Sequence, residues 1–177
     1  MEYSLKNGKT LIIRKPVVED AQAIINLISA ADTETKFLAR NLGEFCVTVE
    51  EEKELIDNVS AADDKEWFVA ESDGIVVGNA SVSLVSSLER YRHRAEVTFV
   101  VLKDYWGLGI GSKLMEHCIR WCKDKNVSQI ELDVVSDNIR AISMYESFGF
   151  SVVGTIPNAM RYKDGSFADK KLMVLVL

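Results

Sequence analysis

Between residues 104 and 113 the chain reads Asp104-Tyr105-Trp106-Gly107-Leu108-Gly109-Ile110-Gly111-Ser112-Lys113, with glycine at every second position of its middle. Upstream, Ala95 to Leu102 is rich in Val, Thr and Phe and reads as a strand. Downstream, Ile110, Leu114, Cys118 and Cys122, joined by Met115 and Ile119, recur at helical spacing. A strand that turns into a helix through such a loop belongs in an α/β or α+β arrangement. The loop suits an anion. Glycines let backbone approach closely, and the free amides at the helix start, aided by the helix dipole, are donors aimed at phosphate oxygens. A tight turn that binds nothing is the plain alternative, because a G-x-G fragment alone is weakly specific.

The rest of the pattern agrees with a mixed sheet. Thr10 to Arg14 is a short β-branched strand that stops at Lys15-Pro16, and a helix follows with Ala21, Ile24, Ile25, Leu27 and Ile28 at three- and four-residue steps. Residues Ala30 to Val49 are of mixed character, a short helix or loop, before the acidic run Glu50 to Glu54 opens another helix. Trp67 to Ala70 and Ile75 to Gly78 flank Ser72-Asp73-Gly74, a strong hairpin signal. Gln129 to Val135 alternates polar and apolar residues as a strand. A helix from Ile139 to Phe148, a stop at Gly149, a strand from Phe150 to Thr155 and a last strand from Lys171 to Leu177 complete the order. The expected fold is α/β (α+β), a mixed and mostly antiparallel twisted sheet flanked by helices.

Composition narrows the function. The 177 residues carry 21 Lys+Arg and 27 Asp+Glu, so the net charge is 21 − 27 = −6. That argues against nucleic acid, whose binders normally present a basic face, and suits a cationic partner. The longest apolar run, Leu172 to Leu177, is six residues, against about 20 for a membrane span. The start, Met1-Glu2-Tyr3-Ser4-Leu5, lacks an apolar leader, so a cytoplasmic single domain over residues 1–177 is expected. Three cysteines with no C-x-x-C spacing read as reduced thiols, with Cys118 and Cys122 packing on the helix rather than ligating metal. His93 and His117 have no partner at ligand spacing, so no metal is expected.

The loop can be tested against known phosphate binders. A Walker A loop needs Gly-Lys-Ser/Thr, but the order here is Gly111-Ser112-Lys113. A Rossmann fingerprint counted from Gly107 and Gly109 meets Ser112 where its third glycine belongs. Glu131 and Asp133 lie where a ribose-binding acid would sit, so a dinucleotide enzyme stays as a lesser alternative.

The segment resembles the cofactor motif Gln/Arg-x-x-Gly-x-Gly/Ala of the GNAT superfamily of acyl-CoA-dependent N-acyltransferases, with Trp106 at the Gln/Arg place and both glycines, Gly109 and Gly111, present. A second segment, Asn138-Ile139-Arg140-Ala141-Ile142-Ser143-Met144-Tyr145-Glu146-Ser147-Phe148-Gly149-Phe150, is similar to the family's Asn-x-x-Ala-x-x-x-Tyr-x-x-x-Gly-Phe. Two motifs in the right order are far more specific than either alone. The resemblance runs from Leu11 to Leu177 and implies a direct attack of an amine on the thioester of acetyl-CoA in a ternary complex. It also implies site residues. The backbone of Phe99, Val100 and Val101 would pair with pantetheine, and the amides of Gly107, Leu108, Gly109, Ile110, Gly111 and Ser112 would hold the pyrophosphate. Asn138, with Ala141, would meet the pantetheine arm, Tyr145 would be the general acid beside the sulfur, and Glu96 is the candidate base.

Each of these has a simpler reading. Tyr145 aligns with Ala141 and Phe148 and suits a core aromatic, Asn138 suits a helix N-cap, and Glu96 suits a solvated edge carboxylate. His93, between Arg92 and Arg94, reads as a surface residue. The resemblance implies a small-molecule amine as acceptor (amino acid, polyamine or drug), with the N-terminus of a ribosomal or other protein as the alternative. A non-catalytic CoA-binding regulatory module is the alternative of another class. Family members often form homodimers, and the sequence leaves that open.

Overall fold

A computed structural model describes residues 1–177. In chain order the elements are β1 (Glu2–Ser4), β2 (Thr10–Arg14), α1 (Ala21–Glu34), α2 (Val49–Ser60), β3 (Lys65–Ser72), β4 (Ile75–Leu84), β5 (Arg94–Val101), α3 (Ile110–Asp124), β6 (Gln129–Val135), α4 (Ile139–Ser147), β7 (Ser151–Arg161) and β8 (Phe167–Val176). Eight strands are hydrogen-bonded in the order β1-β2-β3-β4-β5-β6-β8-β7. β5 and β6 run parallel, whereas β1–β2, β2–β3, β3–β4, β6–β8 and β7–β8 are antiparallel. This is the mixed α/β fold expected from the sequence. No helix is long and apolar enough to cross a membrane. The backbone clusters into two compact units, Met1–Ser83 with Thr98–Trp121 and Leu84–Val97 with Cys122–Leu177.

In the first unit the hydrophobic stripe of α1 does what its spacing requires. Ala21, Ile24, Leu27 and Ile28 are buried with Ile56 of α2 and with Val69 and Val76 of the β3–β4 hairpin. The hairpin turns at Asp73 and Gly74, both at positive φ (52° and 77°), as a two-residue turn with right-handed strand twist demands. Thr48 caps α2: its hydroxyl accepts the Glu51 amide at 3.2 Å while the Glu51 carboxylate accepts the Thr48 amide at 2.8 Å. Arg14 ties β2 to its neighbours through Asp20 at 2.5 Å and Glu71 at 2.8 Å.

In the second unit the alternation of β6 is realised, with Ile130, Leu132 and Val134 buried. Val135 is buried as well, which is why the alternation fails at the strand's last residue. Gly149 ends α4 at φ 93°, a left-handed position that glycine adopts without strain. β7 extends past Thr155 to Arg161, carrying irregularities between Val152 and Gly154 and between Ile156 and Met160. At the second, Asn158 adopts φ 52° and its amide donates to the Asp169 carboxylate at 2.8 Å. The strand β1 is an addition to the sequence reading, and α1 reaches Glu34 before the chain leaves regular structure until α2.

Candidate active site

The glycine loop lies in the first unit. Strand β5 ends where the Leu102 amide donates to the Val77 carbonyl at 3.0 Å, and a single 3-10 turn, Lys103–Tyr105, follows. Trp106 then reaches back, its indole N–H donating to the Val101 carbonyl at 2.7 Å. That is the work of the side chain standing at the motif's Gln/Arg place: it fastens the loop to the strand. Gly107 and Gly109 adopt φ 79° and 95°, conformations that other residues take only under strain. The Lys113 amide bonds the Gly109 carbonyl at 3.1 Å, which opens α3. The amides of Ile110, Gly111 and Ser112 are therefore first-turn donors with no acceptor one turn earlier in the helix. Leu108 is half-buried and Ile110 buried, so the loop is anchored by apolar side chains while its backbone stays near the surface. A Cβ added to Gly109 would meet nothing within 4 Å.

Phe99, Val100 and Val101 are half-buried at the end of β5. The parallel ladder to β6 covers Arg94, Ala95 and Glu96 of β5 and goes no further. On the β4 side the approach is close: a Cβ on Gly78 would lie 2.9 Å from the Val100 carbonyl oxygen and 3.2 Å from Val101 Cγ2. The strand end beyond Glu96, where the parallel ladder has stopped, leads through the 3-10 turn into the glycine loop.

Asn138, Ala141, Tyr145 and Glu96 lie in the second unit. Asn138 is the N-cap of α4, its Oδ1 accepting the Ala141 amide at 3.3 Å. Those two residues are brought together by capping. Tyr145 is buried, with its ring centroid 5.8 Å from that of Phe150. Burial, with a smaller contribution from the Asp133 carboxylate, pushes its hydroxyl up to about 12. Asp133 is in turn held by Lys170, whose Nζ donates to its two oxygens at 3.0 and 3.1 Å. The only sequence signal for this pair was the outward, polar phase of β6. Glu96 is exposed on β5, in register with Glu131. Arg94 binds Glu131, with its Nη2 at 2.7 Å, and holds that carboxyl below its ordinary range.

The remaining reactive side chains fall elsewhere. His93 is exposed, and its backbone carbonyl accepts the Ser128 and Gln129 amides. His117 is buried, with Nε2 3.0 Å from the Tyr3 hydroxyl, and burial beside Arg120 lowers its pKa. Cys118 and Cys122 are buried on α3 as its stripe required, and burial pushes the Cys122 thiol up to about 12. No group of three or more His, Cys, Asp or Glu side chains is disposed to hold a metal ion.

Residues 30–150 match the family described as Acetyltransferase (GNAT) family. The chain belongs to this GNAT acetyltransferase family. Its GNAT relatives include L-amino acid N-acyltransferase MnaT of Escherichia coli K12, 30% identical over 109 residues, or 62% of this chain and 63% of MnaT. The chain thus spans about 63% of that relative's length. Phosphinothricin N-acetyltransferase of Streptomyces viridochromogenes is 24% identical over 157 residues, 88% of this chain and 85% of the relative. In structure, a GNAT acetyltransferase from Streptococcus pneumoniae superposes with a TM-score of 0.89 at 25% identity, covering 94% of this chain and 99% of that one. The GNAT match contains the glycine loop and all of α4.

Proposed function

We propose that this chain transfers the acetyl group of acetyl-CoA to the primary amine of a small molecule, with amino acids the first class of acceptor. What supports the donor is the loop, where Gly107 and Gly109 take positive φ immediately before the first-turn amides of α3, which have no acceptor within the helix. What supports the acceptor class is the likeness to MnaT, named for L-amino acids, and to phosphinothricin N-acetyltransferase, named for another small molecule.

When bound, acetyl-CoA supplies a thioester open to attack by a neutral amine. The chain's residues then have three tasks. The amides of Gly107 to Ser112 hold the pyrophosphate, and the end of β5 from Phe99 to Val101 aligns the pantetheine arm, assisted by Asn138. Glu96 takes the proton that the amine must lose, through water where it does not touch the amine. Tyr145 gives its proton to the departing sulfur. A phenol raised to about 12 stays protonated at neutral pH, which makes it a donor rather than a base. That proton passes to the sulfur as the bond to the acetyl carbon breaks.

The test is thiol release from acetyl-CoA over a panel of free amino acids, polyamines and N-terminal peptides. Turnover with amino acids supports the proposal. Turnover with peptides alone would make the chain an N-terminal acetyltransferase, and CoA binding without turnover across the panel would make it a binding module.

A further inference from the structure

The turn that leads into the glycine loop is held by a residue far away in sequence. Glu34, the last residue of α1, accepts the backbone amide of Lys103 on its Oε2 at 2.7 Å. Lys103 opens the 3-10 turn, and Leu102, the residue before it, offers that turn no side-chain cap. The Trp106 amide bonds back to the Lys103 carbonyl at 3.1 Å, and the Trp106 indole bonds the Val101 carbonyl. Glu34 thus fastens the head of a turn whose tail is already fastened to β5, immediately before Gly107.

Two features indicate that this bond is the reason for a glutamate here. The last turn of α1 contains no basic residue, and a carboxylate at a helix C-terminus opposes the helix dipole. A negative charge near a loop meant for a pyrophosphate is also unfavourable for the ligand. Neither cost serves α1 or the anion, but both are offset if the carboxylate shapes the loop.

Resting on the GNAT reading of the loop, we propose that Glu34 is a positioning residue for the donor site. Its side chain fixes the Lys103–Tyr105 turn, and with it the approach to Gly107–Ser112, in the shape that takes the pyrophosphate before the ligand arrives. The chain that leaves α1 at Glu34 is the segment 35–48, so the same bond joins that segment to the donor loop.

Two conservative variants separate reach from charge. Glu34→Gln keeps an oxygen that can accept the Lys103 amide and loses the charge, whereas Glu34→Asp keeps the charge and shortens the arm by one methylene. CoA is titrated calorimetrically into the full chain and each variant, and hydrogen exchange is followed at the Lys103 amide. We expect Glu34→Gln to bind CoA as tightly as the unaltered chain or more tightly, with Lys103 still protected. Glu34→Asp should bind about tenfold more weakly, with faster exchange at Lys103. Wild-type affinity in Glu34→Asp, or an affinity that follows charge alone, would overturn the proposal. If the unaltered chain binds no CoA, the donor reading fails by itself, and Lys103 exchange in the two variants still decides whether Glu34 fixes the turn.

Discussion

Tyr145 shows how one side chain can satisfy two descriptions at once. It sits at a buried position against Phe150, as a core aromatic would, and that burial also pushes its hydroxyl up to about 12. Tyr145→Phe keeps the packing and removes the proton. We expect kcat to fall roughly a hundredfold or more with CoA affinity unchanged, read by thiol release and calorimetry. Unchanged turnover would remove Tyr145 from the mechanism. Glu52 is the opposite case, a residue whose chemistry the proposed reaction does not use. It is 1% exposed, one turn from buried Ile56 on α2, and its Oε1 has no hydrogen-bond partner. Burial raises its pKa, so the folded chain prefers the neutral acid, and stability is lost as pH rises through that raised value. Glu52→Met should stabilise the protein by about 1–3 kcal/mol, more at pH 9 than at pH 5, in urea unfolding at the two pH values. An acidic run reads as a solvated face, and nothing in Glu50-Glu51-Glu52-Lys53-Glu54 singles out the one member that turns inward until Ile56 is known to be core.

At the scale of elements, the legible parts were those whose signal is local. Asp73-Gly74 announced its hairpin because only a few residue types accept positive φ, and Gly149 announced the end of α4 for the same reason. The loop from Trp106 to Ser112 and the capped start of α4 at Asn138 were legible through short motifs. Long-range partners were not: the Glu34 to Lys103 bond spans 69 positions, and the clamp of Lys170 on Asp133 depends on a register between β6 and β8 that no single strand encodes. Gly78 belongs with these, since a glycine inside a strand looks like a weakness until the Val100 carbonyl is seen beside it. Gly78→Ala should push the end of β5 outward, lowering stability by about 1–3 kcal/mol and weakening CoA binding, checked by thermal melting and calorimetry. Thr48→Ala gives the contrasting result. Losing the cap of α2 should cost about 1 kcal/mol while leaving kcat and CoA affinity unchanged.

For the molecule as a whole, the net charge of −6 indicates little about stability against pH, because the groups that matter are those whose environment changes on folding. Arg14 holds Asp20 below its ordinary value, and Arg94 does the same for Glu131. Each contributes stability that is complete above the unfolded carboxyl range and is lost as pH falls through the lowered value. His117 is also lowered, so folding favours its neutral ring, and its contribution is complete above 6.5 and fades below it. Cys122 and Tyr145 act at the other end. Both are raised to about 12, from 9.0 and 10.0, so the folded chain holds their protons where the unfolded chain would release them. Stability must therefore fall as pH climbs past 9, and Glu52 adds to that loss from a lower pH. Thermal midpoints measured from pH 4 to pH 11 should rise to a maximum near neutrality and decline on both sides. Replacing Cys122 with Ala should flatten the alkaline limb and leave the acid limb alone, because its thiol titrates only at the alkaline end. An alkaline decline that persists unchanged in Cys122→Ala would mean that Tyr145 accounts for it without the thiol.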